Sequence, residues 1–479
     1  MALNDAICWE VRTTGDDANS GGFKTGASGT DRSQQDAAHV TFNGTTVTAT
    51  TTGISSTMTL AGYTVISGDV GNIIQISGGT NFTTGFYEIT SVDTGLNNWT
   101  VDRNCSTGVG SGMTGRMGGA LASINIVSNG VAVAKNKIFV KVGTYTRTAT
   151  TTISGGSYWF SSGPVFVIGY NTTRGDHPTG ANRPIISLST NSGLKGILIT
   201  GTAFVSNLII DCNSLTTSTG LETGFYSFID NVTVQEFTSN GFYNVSQGVS
   251  FIRCEAKDGT SAASYGFSLN SYAASNIECW AHNNACPGFL VVPGGTLNRC
   301  LITNNTGALS DGVRTNSSTA QITTIRNCII HGNGRDGINR DSYCIGDQFQ
   351  NNIITSNGRY GINFVGGAIP TIPFINYNAF RNNTSGAKNN MNSTTGSYSV
   401  GSWTSNDITL TADPYTNAAG DDYTLNNTGG GGAACKAAGI PGVLPGAIGT
   451  GYLDIGIFQH QDPAGGTTVN IIRRPIIVR

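Results

Sequence analysis

The sequence predicts an all-β chain wound into a single-stranded β-solenoid, and three observations carry that prediction. The first is a repeat: RNCIIHGNGRDGINRD, residues 326 to 341, returns as QNNIITSNGRYGINFV at residues 350 to 365. The second is a pair of ladders that keep step with a period in the twenties. The strand-like segments SNLIIDC, DNVTVQEF, IRCEAK, IECWAH, NRCLIT, RNCIIH, QNNIIT and NYNAFR place Asn207, Asn231, Cys254, Cys279, Cys300, Cys328, Asn352 and Asn378 in one slot. Between them a glycine followed by an apolar residue recurs at Gly220, Gly241, Gly266, Gly288, Gly312, Gly337 and Gly361. The third is composition: 66 Gly and only 11% charged residues favour short strands and tight turns over helices.

A period in the twenties fits either leucine-rich repeats or a β-solenoid. The dense leucine spelling and helical segment of the former are missing, so the solenoid remains. Coils of short strands would be separated by Gly and Asn turns, which accept left-handed backbone angles at low cost. Successive coils would pair as parallel strands about 4.8 Å apart, stacking like on like. Cysteine as a small apolar side chain and asparagine as a bridge from coil to coil both suit an interior column. The ten cysteines are therefore expected as free thiols, and no pair or cluster has the spacing of a zinc site. Neither a metal nor a cofactor is expected.

Particular stretches resemble the right-handed parallel β-helix family of pectate-lyase-like proteins, over residues 121 to 460 and the N-terminal segment. KIFVKVGTYTRT at 137 to 148 is similar to that family's first coil, and WEVRTTGDDANSGGF at 9 to 23 to its opening strand and polar turn. ADPYTNAAGDDYTLNN at 412 to 427, with GYLDIGIFQ at 451 to 459, is similar to its closing segment. The resemblance implies a right-handed coil. Residues 1–40 then form an N-terminal strand and cap, 120–415 the β-helix, and 416–479 a closing coil with a C-terminal tail.

Residues 41–119 break the period but alternate as strands do, in HVTFNGTTVTAT, NIIQISG, GFYEITSV and NWTVDRN. They read as a small inserted β module, suited to covering the open first rung. In the repeated strands, Leu301, Ile329 and Ile353 each sit beside another apolar residue, and Trp280 extends their column. Because strand side chains alternate in direction, one of the two columns must face outward. Such a stripe needs a cover, either neighbouring subunits of a homotrimer or loops of the same chain. The tail TTVNIIRRPIIVR, with Ile471, Ile472, Arg473, Arg474, Ile476 and Ile477, is expected either to fold back or to dock onto a partner.

Many proteins of this fold cleave polysaccharide, and glycoside hydrolysis needs two facing carboxylates. Asp311 and Asp336 each precede a ladder glycine on successive coils and are the best catalytic candidates; as Asp-Gly pairs they could equally be turn residues. The motifs of polygalacturonases and the acidic calcium cluster of pectate lyases are missing. His282 and His331 read as strand histidines satisfied locally. Arg335 and Arg359 should stack and repel unless a carboxylate or an anion lies between them.

A net charge of -2 offers no basic field for nucleic acid, and no apolar run reaches the length of a membrane span. GNIIQISGGTNFTTGFYEITSVD resembles segments of phage structural proteins. The sequence reading is therefore a bacteriophage virion structural protein, assembled in the host cytoplasm. It would be a trimeric spike, fibre or capsid-decoration protein, joined to other virion proteins through a terminus and able to contact host polysaccharide. The alternative is a polysaccharide hydrolase or lyase, such as a tailspike depolymerase.

Overall fold

The computed structural model describes residues 3, 7–45, 47–52, 55–125, 135–154, 163–271, 274–292, 294–315, 322–340, 347–365, 374–389, 406–441 and 453–459. The chain is almost all β, with a parallel β-solenoid of about 9 turns and a small closed barrel. It divides into two compact units, residues 1–186 with 197–208, and residues 187–196 with 209–479.

In the first unit the opening strand Ile7–Val11 pairs in parallel with Lys137–Lys141, which in turn pairs with Val165–Tyr170. Trp9, Ile138 and Val167 thus lie one above another and are fully buried. The interrupting segment is a module of antiparallel strands, from Val40–Thr45 to Ser106–Met117. It closes because Ser106–Met117 pairs on one side with Val40–Thr45 and Val47–Thr52, and on the other with Ile73–Phe82. Strand alternation turns Met58, Ile74, Ile89, Trp99, Val101 and Met117 into its core. The module rests on the opening hairpin, where Phe86 meets the Trp9 ring edge-on at 5.6 Å and Glu88 pairs with Lys24 at 2.8 Å.

In the second unit each coil contributes three short strands. One coil comprises Ser275–Ile277, Trp280–His282 and Phe289–Val291; the next comprises Thr296–Asn298, Leu301–Thr303 and Val313–Thr315, in parallel register. Three inward columns fill the interior. Phe251, Asn276, Leu297, Ile325 and Phe349 form the first, and Ala256, Ala281, Ile302, Ile330 and Ile354 the second. The third is the apolar partner of the glycine ladder: Leu221, Phe242, Phe267, Phe289, Val313, Ile338 and Ile362, each in register with the next. Within it Phe242, Phe267 and Phe289 stack face to face with ring centroids 4.5 Å apart. Burying each such ring stabilises the coil stack by about 2–3 kcal/mol.

The ladder glycines are needed for space rather than for left-handed angles. A Cβ on Gly312 would stand 2.7 Å from the carbonyl oxygen of Gly337, and one on Gly337 would stand 2.6 Å from that of Gly361. The left-handed turn lies elsewhere, between the first two strands of each coil, where Asn231, Arg253, Glu278, Arg299, Asn327, Asn351 and Tyr377 have φ of 51 to 59°. This corrects the predicted column by one residue at its start. Asp230 pairs with Ile252 and Thr233 with Glu255, so Asn231 is level with Arg253, and Val232 lies beneath Cys254. Asn207, with φ of 59°, also takes the left-handed geometry.

From Cys254 onward the column is as expected: Cys254, Cys279, Cys300 and Cys328 are buried free thiols. Asn352 continues it, its side-chain oxygen accepting from the Cys328 amide at 2.9 Å and its Nδ2 donating to Asn378 at 3.0 Å. A second buried ladder runs through Asn284, Asn305, Asn333, Asn357 and Asn383, each passing an Nδ2 hydrogen bond of 2.8–3.0 Å to the next. These chains satisfy backbone groups that the coil corners would otherwise bury unpaired.

After the last rung, Ile408–Thr409 on Ala379 and Phe380, the chain crosses the outer face as a strap. It consists of the hairpin Tyr415–Asn417 and Asp422–Leu425, the short helix Gly432–Cys435, and residues 453–459. Leu410, Tyr415, Tyr423, Cys435, Ile455 and Ile457 pack on Trp280, Leu301, Ile329, Ile353 and Ala379 in one buried cluster. The outward apolar stripe is real, but it is not open to a neighbouring subunit. Trp280 retains 7% of its surface and Ile329 and Ile353 none, because the chain covers the stripe itself.

Candidate functional site

Asp311 and Asp336 stand on successive coils as predicted, and each is enclosed by the same set of donors. Arg335 Nε donates to Asp311 Oδ1 at 2.7 Å and its Nη2 to Oδ2, while the Asp336 amide and Asn339 Nδ2 add bonds of 3.1 and 2.9 Å. One coil on, Arg359 Nε donates to Asp336 Oδ1 at 2.9 Å and its Nη2 to Oδ2, with the Tyr360 amide and Asn363 Nδ2 at 3.1 and 2.9 Å. Both carboxylates have no exposed surface, and the four donors fill the acceptor positions a carboxylate has. Burial pushes the Asp311 carboxyl above its ordinary range, while Arg335 and Asn339 act in the opposite sense. The expected repulsion between Arg335 and Arg359 is relieved by these carboxylates. The arrangement joins coils, and it leaves neither oxygen pair facing a substrate.

A different group lies on the outer face where the strap's cover ends. Register places Thr233 beside Glu255 and Glu255 beside Trp280, with Gln235, Lys257 and His282 in the parallel outward column. Glu255 accepts from Thr233 Oγ1 at 2.7 Å, and its Oε1 lies 2.9 Å from His282 Nε2. The imidazole stacks on Trp280 at 3.7 Å, and Trp280 Nε1 donates to Thr303 Oγ1 at 3.0 Å. Burial alone would raise the Glu255 carboxyl, but His282, Lys257 and Thr233 outweigh it and bring it down to about 2. Glu255 is thus held as an anion, an acceptor rather than a proton donor near neutral pH.

His282 contradicts the expectation of local satisfaction only by half. Its Nε2 has the carboxylate, whereas its buried Nδ1 has no hydrogen-bond partner among the described residues. His331 is satisfied, by Thr355 Oγ1 at 2.9 Å, and burial lowers its pKa beneath Tyr415 and Tyr423. The sequence held the signal for the Glu255 group: IRCEAK above IECWAH puts Glu, Lys, Trp and His at alternate positions of two aligned strands, hence on one face. Ile471, Ile472, Arg473, Arg474, Ile476 and Ile477 lie outside the described residues. Among the described residues no group of three or more His, Cys, Asp or Glu could hold a metal ion, and no helix is long and apolar enough to cross a membrane.

No family model matches the chain, and no curated protein matches it. Among solved structures it is similar to pectate lyase Pel9A, with a TM-score of 0.48 and 13% identity over 71% of this chain and 92% of that one. The catalytic domain of a GH87 α-1,3-glucanase gives 0.33 and 12% over 77% and 92%. A protein of Geobacillus virus E2, ORF18, gives 0.29 and 12% over 53% and 52%. The fold itself is a parallel β-helix, as the register from coil to coil shows. Likeness at these identities concerns fold and does not assign an activity to this chain.

Proposed function

We propose that this chain is a structural β-helix protein of a bacteriophage particle, a spike, fibre or capsid-decoration component that contacts glycans without cleaving them through Asp311 and Asp336. The observation that carries the non-hydrolytic reading is the enclosure of both carboxylates by Arg335 and Arg359 across successive coils. A hydrolase needs one carboxyl free to give a proton and another facing water or the anomeric carbon; here both serve cohesion between coils. The particle setting is supported by the sequence resemblance of residues 71–93 to phage structural proteins.

The test is incubation of the purified protein with polygalacturonate, alginate and bacterial capsular polysaccharide, reading reducing ends and unsaturated products. No turnover, together with detection of the protein by proteomics of purified phage particles, is the expected result. Turnover that disappears in Asp311→Asn or Asp336→Asn would overturn it. A second reading, a polysaccharide-acting enzyme, is favoured by the Glu255–His282 contact on the outer face. Turnover lost in Glu255→Gln but kept in Asp311→Asn would establish that reading instead.

A further inference from the structure

One arginine of the first unit lacks the oxygen partner that every other arginine there has. Arg12 donates to Glu10, Arg103 to Asp102, Arg116 to Asp16, Arg147 to Ser123, Arg174 to Asp31 and Arg183 to the Gly180 carbonyl. The half-buried side chain of Arg32 makes no hydrogen bond or ion pair with any described residue, and its buried Nε has no partner among them. The residue is nevertheless fixed in place. Its amide donates to Asn72 Oδ1 at 2.9 Å, and its carbonyl accepts from the Gly119 amide at 2.9 Å. Asn72 is fully buried, and its Nδ2 donates to the carbonyls of Thr30 at 2.9 Å and Gly68 at 3.2 Å. One asparagine thus sets the relative positions of Thr30, Arg32 and Gly68. A Cβ on Gly68 would stand 3.3 Å from Thr30 Oγ1 and 3.7 Å from Arg32 Nη2, so hydroxyl and guanidinium converge on a space that glycine leaves open. His39 flanks Arg32: a Cβ on Gly118 would meet Arg32 Cβ at 2.8 Å and His39 Cβ at 3.1 Å. Burial and the Arg32 charge hold the His39 imidazole below its ordinary range, with Asp69 acting in the opposite sense. Asp69 forms no ion pair with Arg32, because its buried carboxylate is taken by Tyr63 Oη at 2.8 Å, Trp99 Nε1 at 3.0 Å and the Ile66 amide at 3.2 Å.

We infer that Thr30, Arg32 and the space over Gly68 form a binding site for one oxyanion group, a carboxylate, sulfate or phosphate. A guanidinium presents paired N–H donors that match two oxygens of such a group, and the threonine hydroxyl adds a third donor. The half-buried setting strengthens each of these bonds relative to water. A cation held in place without a counter-charge costs free energy, which a bound anion offsets. Because Asn72 already fixes all three residues, binding has little left to order. The site lies within the first unit and does not rest on the proposed function.

Isothermal titration calorimetry of the full chain with sodium sulfate, acetate and glucuronate, against sodium chloride at equal ionic strength, tests it. At least one of the three is expected to bind at least tenfold more tightly than chloride. Glucuronate at least tenfold tighter than acetate assigns the site to an acidic sugar, and equal affinities assign it to the anion alone. Arg32→Gln is expected to lose at least tenfold in affinity. Gly68→Ala fills the space without removing a donor and should lose as much, with an unchanged circular dichroism spectrum and melting temperature; it decides the matter if Arg32→Gln does not fold. Arg253→Gln, at an arginine paired with Asp230 in the second unit, should bind as the parent does. Among the C2–H proton resonances of the five histidines, that of His39, assigned through His39→Gln, should move with saturation in the parent and stay in place in Arg32→Gln. Binding no tighter than that of chloride would overturn the proposal. So would affinity retained in Gly68→Ala, or lost equally in Arg253→Gln.

Discussion

Arg335 reaches back one coil to clamp Asp311, with Nε 2.7 Å from Oδ1, and Arg359 repeats the contact on Asp336. A carboxylate in this position is worth most when its partner is present. Asp311→Asn should therefore cost about 3 kcal/mol in urea denaturation, because the half-buried guanidinium of Arg335 loses its counter-charge. Asp311→Asn combined with Arg335→Met should recover part of that loss. A loss in the double variant equal to the sum of the losses in Asp311→Asn and Arg335→Met alone would show that the pair is not coupled.

The glycine ladder gives a steric prediction. Gly312→Ala must push its new methyl against the Gly337 carbonyl, and a loss of about 2–3 kcal/mol is expected from overpacking. Gly429→Ala, where nothing lies within 4 Å, should stay within about 0.5 kcal/mol of the parent. Equal midpoints for the two variants would exclude close backbone approach as the reason for the ladder.

Asn333 accepts from Asn305 Nδ2 at 2.9 Å and donates to Asn357 Oδ1 at 3.0 Å and the Ile302 carbonyl at 3.2 Å. Asn333→Ala strands partners on both neighbouring coils, each at about 1–3 kcal/mol, so a total loss of about 3 kcal/mol or more is expected. Thermal denaturation followed by circular dichroism is the measurement. Retention of the parental melting temperature would mean that water replaces the ladder.

Glu255 gives a pH prediction. Its carboxyl is depressed to about 2 in the fold from an ordinary value of 4.5. A depressed carboxyl stabilises the fold above the unfolded value and loses that contribution as pH falls through the folded one. The window is thus from about pH 4.5 down to about 2, with about 3 kcal/mol at stake. Glu255→Gln should flatten the stability curve across that window; an unchanged slope would refute the assignment.

Removing the strap should expose what it covers. A chain ending at residue 409, which keeps the last rung, uncovers Leu301, Ile329, Ile353 and Ala379. It is expected to bind a hydrophobic dye and to aggregate at concentrations where the full chain does not. Dye binding at the level of the intact protein would mean that the stripe finds another cover.

Much of the architecture was legible because a solenoid writes each spatial column as a sequence period. Phe242, Phe267 and Phe289 were aligned by counting and are stacked in space. The one-residue slip at Asn231 arose because asparagine suits both the left-handed turn and the buried slot next to it, so residue type alone could not separate them. The Asp311 partners lie on the following coil, yet Arg335 stands 24 residues after Asp311 and Arg359 stands 23 after Asp336, both one coil on, a near-regularity visible before any coordinates. The strap was less legible. Its hydrophobic residues do not share the period, and a cover supplied by the same chain and one supplied by another subunit leave the same mark on the stripe. The Glu255 group was missed for a related reason: its members are ordinary strand residues until register sets them side by side.

The stacked register of Phe242 and Phe267 has one more implication. Excising Phe242 through Gly266 would join Gly241 directly to Phe267, a splice that restores the spelling of the corner on either side and lies before the coils the strap touches. Length in this protein is therefore adjustable in whole turns by gene-level deletion or duplication, and relatives differing by one or more such units are to be expected.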